Sequence, residues 1–404
     1  MAWTVETFAP EVLRVGADRI RALAEDEDGL DGVDVDVVEA GAPVRITHVL
    51  DAVEPRIRPD LRAAFPAEGR AGEGVTNRIH DAVVVSCLDF PGEERPLHEQ
   101  EAIVDLAGPG AHLAPFRKWT NVVLTFHPAE AAGHRAIDAA ARRVTLAAAE
   151  LVAEPTLEAE PVHTHTFELG PADDSLPSVA ALIQLSDLGQ LYQLYLYGTP
   201  VGEAGLPRAV DGCEVMDGAV TAGEYHWASI RNPTLFFQVN SLIRTLYREH
   251  GKRLNLAGVV LMRGYEQSAD DKQRAAEAAA RVAAELGADG AVITTDAGGN
   301  SHTDTMLTCR ACEQAGVRTA VIVAEETDLD ATEPILTDWV PEADCIVSAG
   351  NLEQLVPAWR PERVLGGGTL LDGTPAAEAG TITVRDYFGA ANQMGQLDLG
   401  GVSW

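Results

Sequence analysis

The sequence predicts an α/β protein in which a β-rich mixed N-terminal domain, 1–205, precedes a doubly wound, parallel-sheet α/β domain, 206–404. Three observations carry this expectation. Between about 255 and 350, short apolar runs alternate with helical stretches that stop at glycine. Before about 205, short runs rich in valine and isoleucine are separated by proline, glycine and acidic turns. The chain has 404 residues, 46% of them hydrophobic, which suits two cores better than one or three.

Taken in order, the runs at 33–38, 44–49, 82–87 and 121–126 read as strands of mixed or antiparallel sheets, and 131–152 reads as the one clear helix of the first part. In the second part, 256–262 is a short apolar strand, and 270–286 carries alanine and valine at helical spacing up to Gly287. The same strand, loop and helix pattern recurs at 291–295, followed by a loop over 296–301 and a helix through Gln314. A further strand lies at 319–324 and a fourth apolar run at 344–348. Strands buried on both faces and alternating with helices imply right-handed crossovers and a parallel sheet over about 255–350. The tail, 360–404, begins glycine-rich and contains a polar turn at 389–395.

In such a sheet, ligands sit beyond the carboxyl ends of the strands. Those ends are 263–267, 296–302, 325–327 and 349–351. The loop after the second strand is the richest, because Gly298 and Gly299 let backbone amides approach a ligand and the following helix N-terminus attracts an anion. Gly298, Gly299, Asn300, His302, Asp304 and Asn351 are therefore the expected substrate-binding residues. The competing reading is an ordinary strand-to-helix connection, since neither the P-loop spacing nor GxGxxG is present.

Charge excludes some partners. Sixty-two acidic residues stand against 30 basic ones, of which only Lys118, Lys252 and Lys272 are lysine, so nucleic acid and anionic membrane are poor partners. No apolar run approaches the roughly 20 residues of a membrane helix, and a cytoplasmic address is the expectation. Five cysteines argue against a disulfide framework. Cys309 and Cys312 form a CxxC inside the expected helix, where core packing competes with a redox role. His163 and His165 share one face of an extended segment; they are either an exposed β face or two ligands of a metal that needs a third.

Several blocks, in order, carry a resemblance: Pro43-Val-Arg-Ile-Thr47 with Asp51 and Glu54-Pro-Arg56, Pro115-Phe116, Asn121-Val-Val-Leu124, Glu214-Val-Met-Asp-Gly-Ala219 and Asn232-Pro-Thr234. Further along are Leu246-Tyr247 with His250-Gly-Lys252, Gly287-Ala-Asp-Gly-Ala291, Gly299-Asn300 with Asp304, and Gly389-Ala390 with Asn392 and Gly395. Together they resemble the proprotein subunit of component B of the glycine, sarcosine and betaine reductases, with the D-proline reductase proprotein as a cousin. The resemblance implies a subunit of a heteromeric reductase complex. In that family the chain cuts itself before a cysteine to leave a pyruvoyl group that captures a substrate amine, and the reductive thiol or selenol nucleophile resides on a partner subunit.

Here the stretch 214–234 departs from the pattern. Counting inward from Met216-Asp-Gly-Ala219 and Asn232-Pro-Thr234 puts Glu224 and Tyr225 at the scissile pair, and a phenol is held too far from the preceding carbonyl to replace the thiol. The chain is expected to stay intact and to lack a pyruvoyl group; Thr221 and Ser229 become nucleophiles only in another register. Glu224, Tyr225 and His226 are instead the expected catalytic residues, since Glu224 and His226 lie on one face of an extended segment and suit acid and base work. Three functions remain open: a subunit that binds a small amino-acid or amine-derived substrate and cleaves C–N or C–S bonds with its partner, a non-catalytic scaffold of such a complex, or a metal-dependent lyase or hydrolase using Glu224, His226, His163 and His165.

Overall fold

The computed structural model describes residues 2–89, 101–187, 193–223, 230–296, 298–327 and 336–395. Among them the α/β expectation holds, with several sheets in the N-terminal part and one large, mostly parallel sheet after it.

The first N-terminal sheet orders Leu30–Val38, Thr120–Pro128, Ala82–Leu88 and Val49–Val53, with the middle pair parallel and the outer pairs antiparallel. Side chains alternate between its two faces. Val84, Val122, Leu124 and Phe126 turn toward the helix His134–Ala153, whereas Val83, Val85, Cys87 and Val123 turn toward a second core. The other four-stranded sheet orders His163–Phe167, Trp3–Phe8, Gly74–Ile79 and Arg56–Ile57.

The central sheet orders Arg208–Val210, Asn255–Gly264, Ser178–Ser186, Gly290–Thr294, Arg318–Glu325 and Ile346–Asn351. All but the first strand are parallel. Numbered along the chain, the parallel strands run 2-1-3-4-5, the order of a doubly wound sheet whose direction of winding reverses beside its first strand. Helices Ala269–Glu285 and Asn300–Gln314 cover one face, where Ala276, Ala279 and Met306 meet Ala180, Leu182 and Val260. On the opposite face Ala181, Ile183, Leu185 and Leu261 join the same core as Trp3, Val49, Val85 and Val123. The two parts of the chain therefore share one apolar layer.

Two elements depart from the sequence reading. Ser178–Ser186, the central parallel strand, comes from before residue 205, and its partners follow some 70 to 110 residues later, beyond the reach of local periodicity. The run at 44–49 divides into Val44–Ile46 and Val49–Val53, because His48 takes a left-handed backbone conformation at φ 53° and sends the two halves into different sheets.

Val44–Ile46 pairs in parallel with Arg363–Leu365, so the tail returns to the N-terminal part. A buried ion pair secures this return. Arg45 forks onto Asp105 with bonds of 2.8 and 3.0 Å and donates its remaining nitrogen to the Ala376 carbonyl at 3.0 Å. Asp105 also accepts from Trp359 Nε1 and the Tyr387 hydroxyl, each at 2.8 Å. Deleting one member of such a network strands the rest without water. Arg45→Ala is thus expected to lower stability by about 3–5 kcal/mol, read as a fall in the urea midpoint; an unchanged midpoint would show that the tail is not held this way.

Candidate active site

The segment 214–234 is built from both flanks inward. Asp211 caps a short turn by accepting from the Cys213 amide, and Glu214 reaches back to the Asp211 amide. The chain then opens into a wide turn over Val215–Ala219, where Gly218 takes φ 98° beside Phe65. Asp217, fully buried in that turn, accepts from Thr76 Oγ1 at 2.6 Å, Arg58 at 2.9 Å and the Gly72 amide at 3.0 Å. Burial pushes its carboxyl above the ordinary range, while the Thr76 hydroxyl and the charge of Arg56 pull against it. The Met216-Asp-Gly-Ala219 block therefore clamps the segment onto the N-terminal sheets.

Val220–Gly223 next pairs antiparallel with Gln193–Leu196. Gly223 lies against the Tyr195 ring, where a Cβ would collide. The Arg142 guanidinium stacks over that ring at 4.0 Å and donates to Thr221 Oγ1 at 2.8 Å. Glu224, Tyr225 and His226, together with Ser229, lie outside the described residues. The chain is described again from Ile230. Arg231, 2% exposed, donates to the Gly223 carbonyl at 3.1 Å and so ties the two ends of the intervening stretch together.

Asn232-Pro-Thr234 fastens the far flank to both halves of the protein. Asn232 donates through Nδ2 to Asp296 at 2.8 Å, and Asp296, at the carboxyl end of Gly290–Thr294, also accepts from the Ser186 amide at 2.9 Å. Thr234 donates its amide and hydroxyl to Asp51 at 2.9 and 2.5 Å, and its hydroxyl accepts from the Ala222 amide at 2.7 Å. Burial raises the Asp51 carboxyl, and the Thr234 hydroxyl and Arg231 charge oppose that shift. Asn232 in the far flank is thus fastened where the parallel strands Ser178–Ser186 and Gly290–Thr294 end and the winding reverses.

The expected substrate-binding residues spread over three settings. Gly298 and Gly299 lie against Glu326, which accepts from the Gly299 amide at 2.9 Å, so a protein carboxylate covers that amide at the N-terminus of the Asn300–Gln314 helix. His302 is fully buried, with Nδ1 3.7 Å from Glu326 and accepting from the Thr337 amide at 3.4 Å. Burial lowers its pKa and favours the neutral ring. Asp304 accepts from Lys272 at 2.9 Å and the Tyr265 amide at 2.7 Å, which joins the two helices and the loop after Asn255–Gly264. Asn351 and Asn392 line a separate cavity of about 590 Å³ with Arg117 and His112.

Other motifs settle differently. Cys309 and Cys312 are fully buried in the core beneath the helix pair, as free thiols. His163 and His165 lie on an exposed strand, and partial burial, then the neighbouring His163 and Arg244, depress the His165 pKa. Among the described residues no three His, Cys, Asp or Glu side chains form a metal cluster, and no helix is long and apolar enough to cross a membrane. Sequence reasoning gave no role to Arg142, Tyr195, Arg231 or Asp296; Asp51 and Asn232-Pro-Thr234 were visible only as blocks of a resemblance.

A family model described as glycine/sarcosine/betaine reductase component B subunits matches residues 2–390. The chain is 32% identical over 405 residues to the sarcosine reductase complex component B subunit alpha of Peptoclostridium acidaminophilum, covering 97% of this chain and 90% of that protein. It is 30% identical over 366 residues to the glycine reductase complex component B subunits alpha and beta of Acetoanaerobium sticklandii, covering 88% and 83%. To the betaine reductase complex component B subunit alpha of Peptoclostridium acidaminophilum it is 28% identical over 368 residues, covering 87% and 81%. No solved structure matches the chain.

Two outcomes follow from this geometry. Thr234→Val removes the hydroxyl bond to Asp51, which keeps its amide donors from Thr234 and Ala52, and leaves the Ala222 amide without a buried acceptor; it should cost about 1–3 kcal/mol, with Thr234→Ser near wild type in thermal denaturation. Burial pushes the Cys87, Cys213 and Cys312 thiols up to about 12 and raises Cys309 as well. These four stay protonated at pH 8, so a thiol reagent should titrate the exposed Cys345 alone in the folded protein and all five cysteines in urea.

Proposed function

The chain belongs to the family of glycine/sarcosine/betaine reductase component B subunits, and on that footing we propose that it works uncleaved, without a pyruvoyl group, as a subunit of such a complex. Its substrate is a small amino-acid or amine-derived compound. Its partner is a subunit carrying a reactive thiol or selenol.

One observation carries this reading: the stretch after Gly223 is held at both ends by buried bonds, yet it contains no thiol. Between Gly223 and Ile230 the sequence is Glu224-Tyr-His-Trp-Ala-Ser229. The hydroxyls of the described flanks are engaged elsewhere, Thr221 with Arg142 and Thr234 with Asp51. These residues do not fit the acyl shift that forms a pyruvoyl group, so the reaction is not routed through one.

In the mechanism that fits these residues, the partner's thiolate or selenolate attacks the substrate carbon that bears nitrogen or sulfur. A C–S or C–Se bond forms, the C–N or C–S bond breaks, and the departing atom leaves with the electron pair. Glu224 or His226 gives that atom its proton, and the Tyr225 phenol orients it. On the substrate side we retain Asn300 and Asn351, at the carboxyl end of the sheet. Gly298 and Gly299 shape the loop there, and His302 and Asp304 hold the helix behind it. A cytoplasmic address and a heteromeric assembly accompany this reading.

Intact-mass measurement of the purified protein should give one species of 404 residues; two fragments, one blocked by a carbonyl group, would overturn the uncleaved reading. In the complex reconstituted with its partner, Glu224→Ala and His226→Ala should each reduce turnover by about 10²–10⁴-fold. Full turnover in both variants would leave the chain a scaffold.

A further inference from the structure

A cavity of about 710 Å³ lies against the four-stranded sheet of His163–Phe167, Trp3–Phe8, Gly74–Ile79 and Arg56–Ile57 and gathers basic charge, which is scarce in this chain. One wall is a single face of that sheet. The register sets His163, Thr7, Arg78 and Arg56 in one row across its four strands, His165, Val5 and Thr76 in the next, and Phe167 beside Trp3 after that. The opposite wall is the helix Ser241–Glu249, which presents Ser241, Arg244, Thr245 and Arg248 at helical spacing, with Lys252 just beyond it. Five of the 30 basic residues of a chain with net charge −32 therefore line one cavity.

The protein's own carboxylates neutralise them only in part. Arg56 and Arg78 share Glu54, at 2.5 and 3.3 Å, and Arg248 meets Glu249 at 3.0 Å on the solvent side. Lys252 donates only to the Arg248 carbonyl, at 2.8 Å. Among the described residues, Glu168 is the one carboxylate on the cavity wall, and the Arg244 guanidinium has neither a hydrogen bond nor an ion pair. Gln238, 3% exposed, lines the same space with an Nε2 donor that finds no partner. Partial burial and the charges of Arg78 and Arg248 depress the pKa of Arg244, against the pull of the Glu54 carboxylate. The buried Gln238 amide donor without a partner costs free energy that an arriving oxyanion would return, and the exposed Arg244 guanidinium lines the same cavity.

The cavity also has an apolar end. Trp3 and Phe167 stack at 5.3 Å, and Met216 and Tyr247 adjoin them, so carbon as well as oxyanion finds a surface. The volume suits an organic ligand rather than a lone inorganic ion. Residues from several blocks singled out in the sequence, Arg56, Met216, Tyr247 and Lys252, line this cavity.

We infer that this cavity binds a small organic polyanion, with carboxylate or phosphate groups against Arg244, Gln238, Arg78 and Lys252 and its carbon skeleton against Trp3 and Phe167. Calorimetric titration of the full-length protein with citrate and with fructose 1,6-bisphosphate tests it and separates the two oxyanion classes. Saturable one-to-one binding of at least one probe is expected at fixed ionic strength. Arg244→Gln and Arg248→Gln should each weaken it by about tenfold or more, whereas Arg135→Gln, exposed on a different helix, should not. Arg248 is largely exposed, so its variant keeps the test valid if Arg244→Gln melts early. No saturable binding of either probe, equal weakening by Arg135→Gln, or tight Arg244-dependent binding of a polyglutamate peptide alone would overturn the inference. Binding is read without the partner subunit, so its failure is distinct from failure of the proposed function.

Discussion

The organisation of this chain depends on one hydroxyl. Thr234 donates to Asp51 and accepts from Ala222, so a single buried side chain holds a strand of the N-terminal sheet, the strand leading into the 224–229 stretch and the helix leading out of it. None of these groups has access to water, and an unmade bond there costs more than a made bond contributes. Asn232, two residues earlier, does the same for the parallel sheet by way of Asp296. With the Arg231 bond to the Gly223 carbonyl, these contacts fix where the stretch begins and ends whatever lies between. The constraint is one of position, and it acts on the backbone at both flanks.

Much of the fold was legible because its elements are local. The helices Ala269–Glu285 and Asn300–Gln314 and the strands beside them announce themselves by period and by glycine stops. What stayed hidden was pairing. Nothing near Ser178–Ser186 states that it will lie between strands from 255 and 290, and nothing near Arg45 states that Ala376 and Tyr387 will close over its partner Asp105. The site was legible in the same uneven way. The blocks pointed to Asp51 and Thr234 as positions, but only their contact shows that they work together. The glycine loop illustrates the converse: its sequence suggests amides open to a ligand, and the anion the structure sets on the Gly299 amide is Glu326 from the next strand end.

Charge is distributed unevenly over the molecule. With 62 acidic residues, the chain has carboxylates in excess for the cations it buries, and it uses them: Asp105 for Arg45, Asp217 for Arg58, Asp304 for Lys272. Arg244, exposed on the cavity wall, has no such ion pair among the described residues. Helix and sheet faces that meet usually exclude water with apolar side chains, whereas the helix Ser241–Glu249 turns Ile243 and Leu246 into the core and leaves a basic edge across from Arg56 and Arg78. A surplus of acid elsewhere strengthens the selectivity of such a site, since it repels anions from the general surface and leaves one place where they are favoured.

The absence of a thiol in the 224–229 stretch is informative because of what surrounds it. If the flanks served only to present a scissile bond, losing the nucleophile would remove the reason for Gly223 to pack beneath Tyr195 and for Arg231 to lie buried against the Gly223 carbonyl and the Phe388 ring. Burying a guanidinium costs several kcal/mol before any bond is counted. A structure that bears this cost keeps Gly223 and Arg231 at one fixed spacing. That fixed spacing is the geometric support on which the roles proposed for Glu224, Tyr225 and His226 rest.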